Sequence, residues 1–185
     1  AHRHGLVVFA HPQSAQGIAN SIEGGVDVLA HTAPDGGPWP PELIAKIRTK
    51  GMGLVPTLSL WRVEMERTNL PDDVRERFVR TGAEQLRAFA AAGGAVLFGT
   101  DVGYIPEKDA DEEVGWMAGA GMDWRAIVVS LTSAPARRMT DHQRGVLAVD
   151  GPADLVLLNG DPRVEVQALT RVRQTWVAGK SVFAR

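Results

Sequence analysis

The sequence predicts an α/β protein built around a parallel sheet. Short apolar runs lie at residues 6–10 and 95–98, and residues 26–30 form a further strand candidate. Continuous apolar runs bounded by glycine are typical of strands buried on both faces, as strands are in parallel sheets. Segments with helical periodicity separate these strands, and the alternation predicts successive βα units.

The predicted helices have recognisable ends. Residues 14–22 begin with Ser14, a good N-cap residue, and stop at the glycine pair 24–25. The longest helical pattern starts at Pro71, where proline suits the first turn, and acidic residues follow it at the positive end of the helix dipole. In chain order we expect helices at residues 14–22, 41–50, 71–92, 111–120, 123–133 and 135–139.

Two other regions have less regular patterns. Residues 54–60 predict a strand, although Pro56 weakens it because proline cannot donate to a ladder. Residues 61–70 are rich in charge and lack a clear period, which indicates a loop or a lid over a site. After Gly145, short alternating segments and turns predict part of a small β-sheet domain, with strands near residues 153–158, 172–178 and 181–183.

Composition excludes several classes of function. The chain has 185 residues, a net charge of −2 and no Cys, so it carries neither a disulfide scaffold nor a thiolate metal site. The charge shows no basic stripe, and we therefore expect no nucleic-acid or membrane partner. No apolar run approaches the roughly 18 residues that span a bilayer. We expect a cytoplasmic protein, although the lack of Cys says little about compartment.

A potential metal ligand follows each of three predicted strands: His11, His31 and Asp101. Because parallel strands bring their carboxyl ends to one side, these side chains are expected to converge. Imidazole and carboxylate are the donors that Zn²⁺ accepts when no thiolate is present. A metal lowers the pKa of its bound water to about 7, and Asp101 could take the proton and pass it to a leaving group.

Each residue also has a structural interpretation. A lone His at a strand end is often only hydrogen-bonded, and Asp101 alone could cap the following turn. Tyr104, just beyond Gly103 on the same side, is a candidate for contact with substrate. Thr57 and Ser59 are expected at a strand end on that side, without a catalytic serine arrangement around them.

The remaining histidines fit structural roles better. His2 and His4 precede the first apolar run, so they are expected at the end of the sheet opposite His11. His142 lies in a polar segment and is expected to be solvated.

Several motifs together resemble the amidohydrolase superfamily. They are His-Pro after an apolar strand, Gly-Gly-Val-Asp-Val-Leu-Ala-His, Val-Pro-Thr-Leu, Phe-Gly-Thr-Asp, Thr-Ser-Ala-Pro-Ala and the tail from Gly145 to Pro162. The resemblance covers nearly the whole chain and is greatest to the imidazolonepropionase-like and Xaa-Pro-dipeptidase-like branch.

The resemblance implies a metal-dependent (β/α)₈ TIM barrel with a small β-sandwich domain. Residues 1–142 would supply barrel strands 5–8, and residues 143–185 the C-terminal part of the sandwich. His11 would be the strand-five ligand and Asp101 the strand-eight ligand and proton shuttle. His31, on strand six, would bind metal or polarise the substrate carbonyl. The cofactor would be divalent, with zinc favoured and one or two ions in the complete protein.

The family's strands one to four have no counterpart here, so the chain matches the C-terminal half of an amidohydrolase. Its three candidate ligands are too few for tight catalytic binding, and open sheet edges invite pairing. We expect a hydrolase of C–N bonds in small molecules or short peptides. The alternative is a catalytically silent half-barrel fragment, and we expect either a homo-oligomer or pairing with a missing N-terminal half.

Overall fold

A computed structural model describes residues 1–106, 110–141 and 143–185. It contains a four-stranded parallel sheet in which neighbouring strands follow the chain order. The predicted α/β class with a parallel sheet is therefore confirmed. The strands are β1 (Phe9–Ala10), β2 (Val28–Ala30), β3 (Gly53–Val55) and β4 (Ala95–Val96).

The helices lie close to their predicted positions. Ser14 caps the first helix as expected, because its Oγ accepts from the Gly17 amide at 3.1 Å. Asp123 caps the sixth in the same way, accepting from the Ala126 amide at 2.8 Å. The helices are α1 (Ala15–Glu23), α2 (Pro41–Thr49), α3 (Leu58–Glu66), α4 (Asp72–Ala91), α5 (Asp111–Gly119), α6 (Trp124–Leu131) and α7 (Ser133–Arg138). Three short 3₁₀ helices accompany them: His2–His4, Pro34–Gly36 and Val166–Thr170.

Two expectations around Pro56 were wrong. The strand predicted at residues 54–60 ends at Val55, and the segment predicted as a loop or lid is largely helix α3. Thr57 therefore lies at the start of a helix rather than at the end of a strand. The local sequence does not predict this helix because Thr57 makes no side-chain cap. The contacts that hold the first turn of the helix come from a residue distant in sequence.

The core lies between the sheet and the helices that follow its strands. Leu29 and Leu54, on the two central strands, are fully buried, and Leu86 and Phe89 of α4 belong to the same cluster. Residues 95–98 were expected to be buried on both faces, which is wrong for the start of the run. Ala95, the first residue of β4, is exposed, whereas Val96 and Leu97 after it are buried.

A second sheet follows the helices. Strands β5 (Leu155–Leu158), β6 (Val172–Val177) and β7 (Lys180–Ala184) form an antiparallel meander, as the alternating pattern of the tail predicts. Its apolar side chains are largely exposed, among them Val156 and Val182. The Val166–Thr170 turn joins the tail to the main body, since Ala168 is buried and Val166 packs on the large core.

Across the part of the chain that the structure describes, the helices are too short or too polar to cross a membrane. His142, expected to be solvated, lies outside the described residues. His2 lies where expected, at the opposite end of the sheet from His11. Its Nε2 is 2.8 Å from Oδ2 of Asp27, just before β2 begins.

Candidate active site

Two of the predicted ligands meet at the carboxyl end of the parallel sheet. His11 directly follows β1, and His31 directly follows its neighbour β2. The centroids of the two imidazole rings are 4.4 Å apart, in an edge-to-face arrangement. His11 is exposed, whereas His31 is buried. Adjacent parallel strands thus bring together two residues that are distant in sequence, as the strand pattern predicts.

The His31 ring is held by Thr57. Its Nδ1 lies 2.6 Å from the Thr57 hydroxyl, which itself donates to the Pro56 carbonyl at 2.8 Å. With the one hydroxyl hydrogen directed to the Pro56 carbonyl, the oxygen accepts from His31, and Nδ1–H is the donor. The neutral ring then carries a free lone pair on Nε2. That is the form in which histidine binds a metal or accepts a proton.

The surroundings keep His31 neutral. Burial, the largest cause, and the neighbouring His11 ring lower the pKa of His31 to about 4, while Asp101 acts weakly in the other direction. A charged imidazolium would lose hydration in this site, so the uncharged ring is favoured. At neutral pH His31 therefore presents a base or a ligand rather than a cation.

Asp101 lies beyond the end of β4, after residues 97–100. It is half-buried, and its charge acts on His31. Its backbone φ of 64° is left-handed, as is the φ of 77° at His31 and of 47° at Thr57. Such conformations cost of order 1–3 kcal/mol for a side chain other than glycine and cluster at functional sites. Asp101, His31 and Thr57 thus all have strained backbones at this edge of the sheet.

Tyr104 lies on the loop after Asp101 and is mostly exposed. Its hydroxyl donates to Oε1 of Glu64 at 3.0 Å, and the guanidinium carbon of Arg67 stands 5.3 Å from its ring centroid. Ile105, next in the chain, is buried against Leu60 and Val63 of α3. The loop that carries Tyr104 is therefore attached to α3.

The loop that follows His31 is fixed from two sides. The Trp61 indole N–H donates to the Thr32 hydroxyl at 2.8 Å, and its ring lies 6.0 Å from His31. From α4, the fully buried Gln85 amide accepts from the Ala33 amide at 2.8 Å and donates to the Ala33 carbonyl at 2.9 Å. Neither contact is visible in the sequence, because each partner lies about 30 to 50 residues away.

One further buried polar residue of this region was not predicted from the sequence. Glu113 of α5 is 1% exposed, and its carboxylate accepts three hydrogen bonds from the first turn of α3. Burial raises the pKa of Glu113, against the opposing effect of the hydrogen bonds from Ser59 and Leu58. In the sequence it is one acid among several, in the run Asp-Ala-Asp-Glu-Glu, and nothing local separates it from the other acids.

The donors fit a metal site only in part. Among residues 1–106, 110–141 and 143–185, no three His, Asp or Glu side chains are grouped so that they could hold a metal ion. His11 and His31 meet, but β3 separates β2 from β4 in the sheet, and Asp101 does not complete a set of three with them. The neutral His31 and its neighbour His11 are suitable metal ligands, so the described residues contain part of a metal site.

Comparison with known proteins gives a family match. The model of the amidohydrolase family matches residues 74–183, more than half of the chain, and the match includes Asp101, Tyr104 and Glu113. It begins after His11 and His31. Among curated proteins, nothing matches the chain.

Solved structures of similar fold are about twice as long. A protein from Bifidobacterium longum, provisionally assigned as a prolidase, has 26% identity and a TM-score of 0.83, with 99% of this chain and 48% of that chain covered. An Xaa-Pro dipeptidase with bound methionine has 24% identity and a TM-score of 0.82, covering 98% and 46%. The ochratoxinase of A. niger has 21% identity and a TM-score of 0.83, covering 100% and 43%. The chain thus spans less than half the length of these proteins.

Proposed function

The chain belongs to the amidohydrolase family, and from that premise we propose that it carries the C-terminal part of the active site of a metal-dependent hydrolase of C–N bonds. The observation that carries the proposal is the pairing of His11 with a neutral His31 at the carboxyl ends of adjacent parallel strands. Substrates would be small amides, cyclic amides or short peptides. Xaa-Pro dipeptides are the first class to test, because prolidases and an Xaa-Pro dipeptidase share this fold.

We propose His11, His31 and Asp101 as the part of a divalent metal site that this chain supplies. Zinc is the ion that two imidazoles and a carboxylate favour. When bound, such a metal supplies an activated water at neutral pH. The further ligands that a tight site needs would come from the missing N-terminal half.

The chain's own residues have distinct roles in this proposal. Asp101 accepts the proton of the attacking water and delivers it to the leaving nitrogen, which lets the C–N bond break. His31, held by Thr57 through Nδ1, directs Nε2 towards the reacting groups. The Tyr104 hydroxyl, on the loop attached to α3, would contact the substrate.

The length comparison supports a proposal for the assembly. We propose that β1 to β4 are strands 5–8 of a (β/α)₈ barrel, formed by residues 1–142, and that residues 143–185 are part of a small β-sandwich. The exposed edge strands and the exposed apolar side chains of the second sheet support a partner at these surfaces. That partner would be the N-terminal half or a second copy of the chain in the cytoplasm.

Hydrolysis of Xaa-Pro dipeptides by the natural protein that carries this chain tests the proposal. Replacement of Asp101 by Asn removes the proton acceptor and keeps the side-chain volume, so turnover should fall by at least 10³-fold with the fold unchanged. Glu23→Gln, an exposed residue at the end of α1 away from His11, is the control and should keep full turnover. If the Asp101→Asn variant retains more than a few per cent of activity, Asp101 has no part in the mechanism.

A second candidate is a catalytically silent half-barrel that hides its edges by association. It is favoured by the absence, among the described residues, of three grouped metal ligands. Size-exclusion mass together with metal content of the 185-residue chain separates the two candidates. A metal-free dimer supports the silent fragment, and a monomer with stoichiometric zinc excludes it.

A further inference from the structure

A buried acid occupies the start of α3. The Glu113 carboxylate is almost fully buried, whereas glutamates in proteins are almost never buried unless they are paired. Its Oε1 accepts from the Leu58 amide at 2.9 Å. Its Oε2 accepts from the Ser59 amide at 2.8 Å and from the Ser59 hydroxyl at 2.6 Å. These partners are the first two residues of α3, so Glu113 satisfies helix amides that would otherwise be buried without acceptors.

Glu113 does here what an N-cap side chain usually does. The N-cap residue of α3 is Thr57, a residue type that commonly caps helices through its hydroxyl. Thr57 makes no such bond, because its hydroxyl is engaged with His31 and with the Pro56 carbonyl. A carboxylate from another helix caps α3 in its place and leaves the Thr57 hydroxyl available to the imidazole.

The same contact constrains the backbone beneath His31. Thr57 has a left-handed φ of 47°, which is unfavourable for a β-branched residue and requires support from the surrounding structure. The next two amides in the chain are both held by Glu113. The conformation of Thr57, and therefore the position of its hydroxyl, depends on that carboxylate.

Glu113 also connects the two halves of the candidate site. It lies on α5, the helix that follows Asp101 and its loop, while Thr57 lies between β3 and α3. The chain runs from β4 through Asp101 to Glu113, and the hydrogen bonds return from Glu113 to Thr57 and His31. The helix that follows Asp101 in the chain thus supplies the carboxylate that holds the two residues after Thr57, and Thr57 contacts His31.

We propose that Glu113 is a positioning residue, which holds the first turn of α3 so that Thr57 fixes the tautomer and orientation of His31. It touches neither substrate nor metal and acts only through Thr57. Its meaning for catalysis rests on the proposed function. The state of the His31 ring, however, can be measured whether or not the protein hydrolyses a C–N bond.

The test is ¹⁵N NMR of the His31 imidazole in the natural protein, with Glu113→Gln, Thr57→Val and the double variant, after metal removal. The wild-type ring should be protonated at Nδ1, and Glu113→Gln should convert it to a mixture of tautomers, because Gln replaces one of the two acceptor oxygens with an NH₂ group that can only donate and would face an α3 amide N–H. Asp123→Ala, which removes a comparable cap from α6, should leave the His31 signals unchanged. A wild-type spectrum in a folded Glu113→Gln variant would overturn the proposal.

The double variant separates positioning from general support. Once Thr57→Val has removed the hydroxyl, Glu113→Gln should change the His31 signals no further, since both act on the same contact. Independent, additive changes would contradict the proposal. Where the protein has measurable turnover, kcat should fall about 10-fold or more in either single variant, with KM nearly constant.

Ser59→Ala keeps the test decisive if Glu113→Gln does not fold. It removes one of the three hydrogen bonds to the carboxylate and leaves both backbone bonds in place. A smaller shift of the same His31 signals supports the positioning role. Unchanged signals in Ser59→Ala, together with a Glu113→Gln variant that cannot fold, would assign Glu113 to the stability of the fold and overturn the proposal.

Discussion

The two sheets of this chain differ in how completely they bury their side chains. In the parallel sheet, Leu29 and Leu54 on the central strands are fully buried beneath the helices. In the antiparallel sheet, Val156 is 56% exposed and Val182 is 61% exposed. One sheet has its own core in this chain, whereas the other has apolar surface that a further layer would cover. The parallel sheet should therefore contribute more to the stability of this chain than the antiparallel sheet.

The largest effect is expected from the centre of the parallel sheet. Leu29→Ala removes a fully buried side chain and leaves a cavity under the helices, so the free energy of unfolding should fall by about 3 kcal/mol. Urea denaturation of the 185-residue chain measures this loss. A loss below about 1 kcal/mol would mean that the parallel sheet has no more of a core than the antiparallel one.

A smaller loss is expected from the polar contact that secures the loop after His31. Gln85→Ala removes buried hydrogen bonds to Ala33 and should lower the free energy of unfolding by about 2 kcal/mol. Gln16→Ala is the matched control, because the Gln16 side-chain amide donates to the exposed Asn20 one turn further along α1. The control should change stability by less than about 0.5 kcal/mol. Equal losses in both variants would contradict the role given to Gln85.

Protonation of His31 at acid pH should lower the free energy of unfolding. Since burial lowers the pKa of His31 from 6.5 to about 4, the unfolded chain binds more protons than the folded chain between these values. Stability from this group is complete above pH 6.5 and is lost as pH falls towards about 4, by about 2 kcal/mol.

Subtraction isolates the His31 contribution. Burial raises the pKa of Glu113, so that group acts in the opposite sense above pH 4.5. The quantity to measure is therefore the difference between wild type and His31→Asn, from urea midpoints with a chelator present. The free energy of unfolding of wild type, relative to His31→Asn, should fall as pH drops from 7 to 4.5. Replacement of the exposed His4 by Asn is the control, and a flat His31 difference would contradict the burial of a neutral ring.

The smallest effect is expected in the antiparallel sheet. Val156→Ala trims a side chain that is more than half exposed, and the 185-residue chain should lose less than about 1 kcal/mol. If a second layer covers this sheet in the natural protein, the same substitution there should cost visibly more. Thermal unfolding of both forms gives the comparison, and equal shifts would show that nothing covers β5.

Much of the fold could be predicted because its signals are local. Ser14 and Asp123 cap helices through neighbouring amides, and the alternation in the tail specifies an antiparallel meander. Helix α3 could not be predicted in this way, since its cap is Glu113, which lies more than 50 residues further along the chain. The short strand before it ends at Val55, and only the first part of the predicted strand exists.

The candidate site was predictable to a similar degree. The positions of His11 and His31 follow from strand ends, and the structure brings their rings together. The grouping of Asp101 with them as a set of three ligands remains a prediction. Thr57 was expected on this side of the sheet, but its contact with His31 was not predicted, and Gln85 and Glu113 were missed. The partners of all three are distant in sequence. Their identities as Thr, Gln and Glu carry no sign of burial.

Metal content tests the central claim most directly. The natural protein that carries this chain should be purified as wild type, as a His11→Ala, His31→Ala double variant and as a His2→Ala, His4→Ala control. The account predicts about one or two equivalents of zinc in wild type and control, and loss of most of it, together with turnover, in the double variant. Undiminished zinc and turnover in the His11, His31 variant would contradict the account.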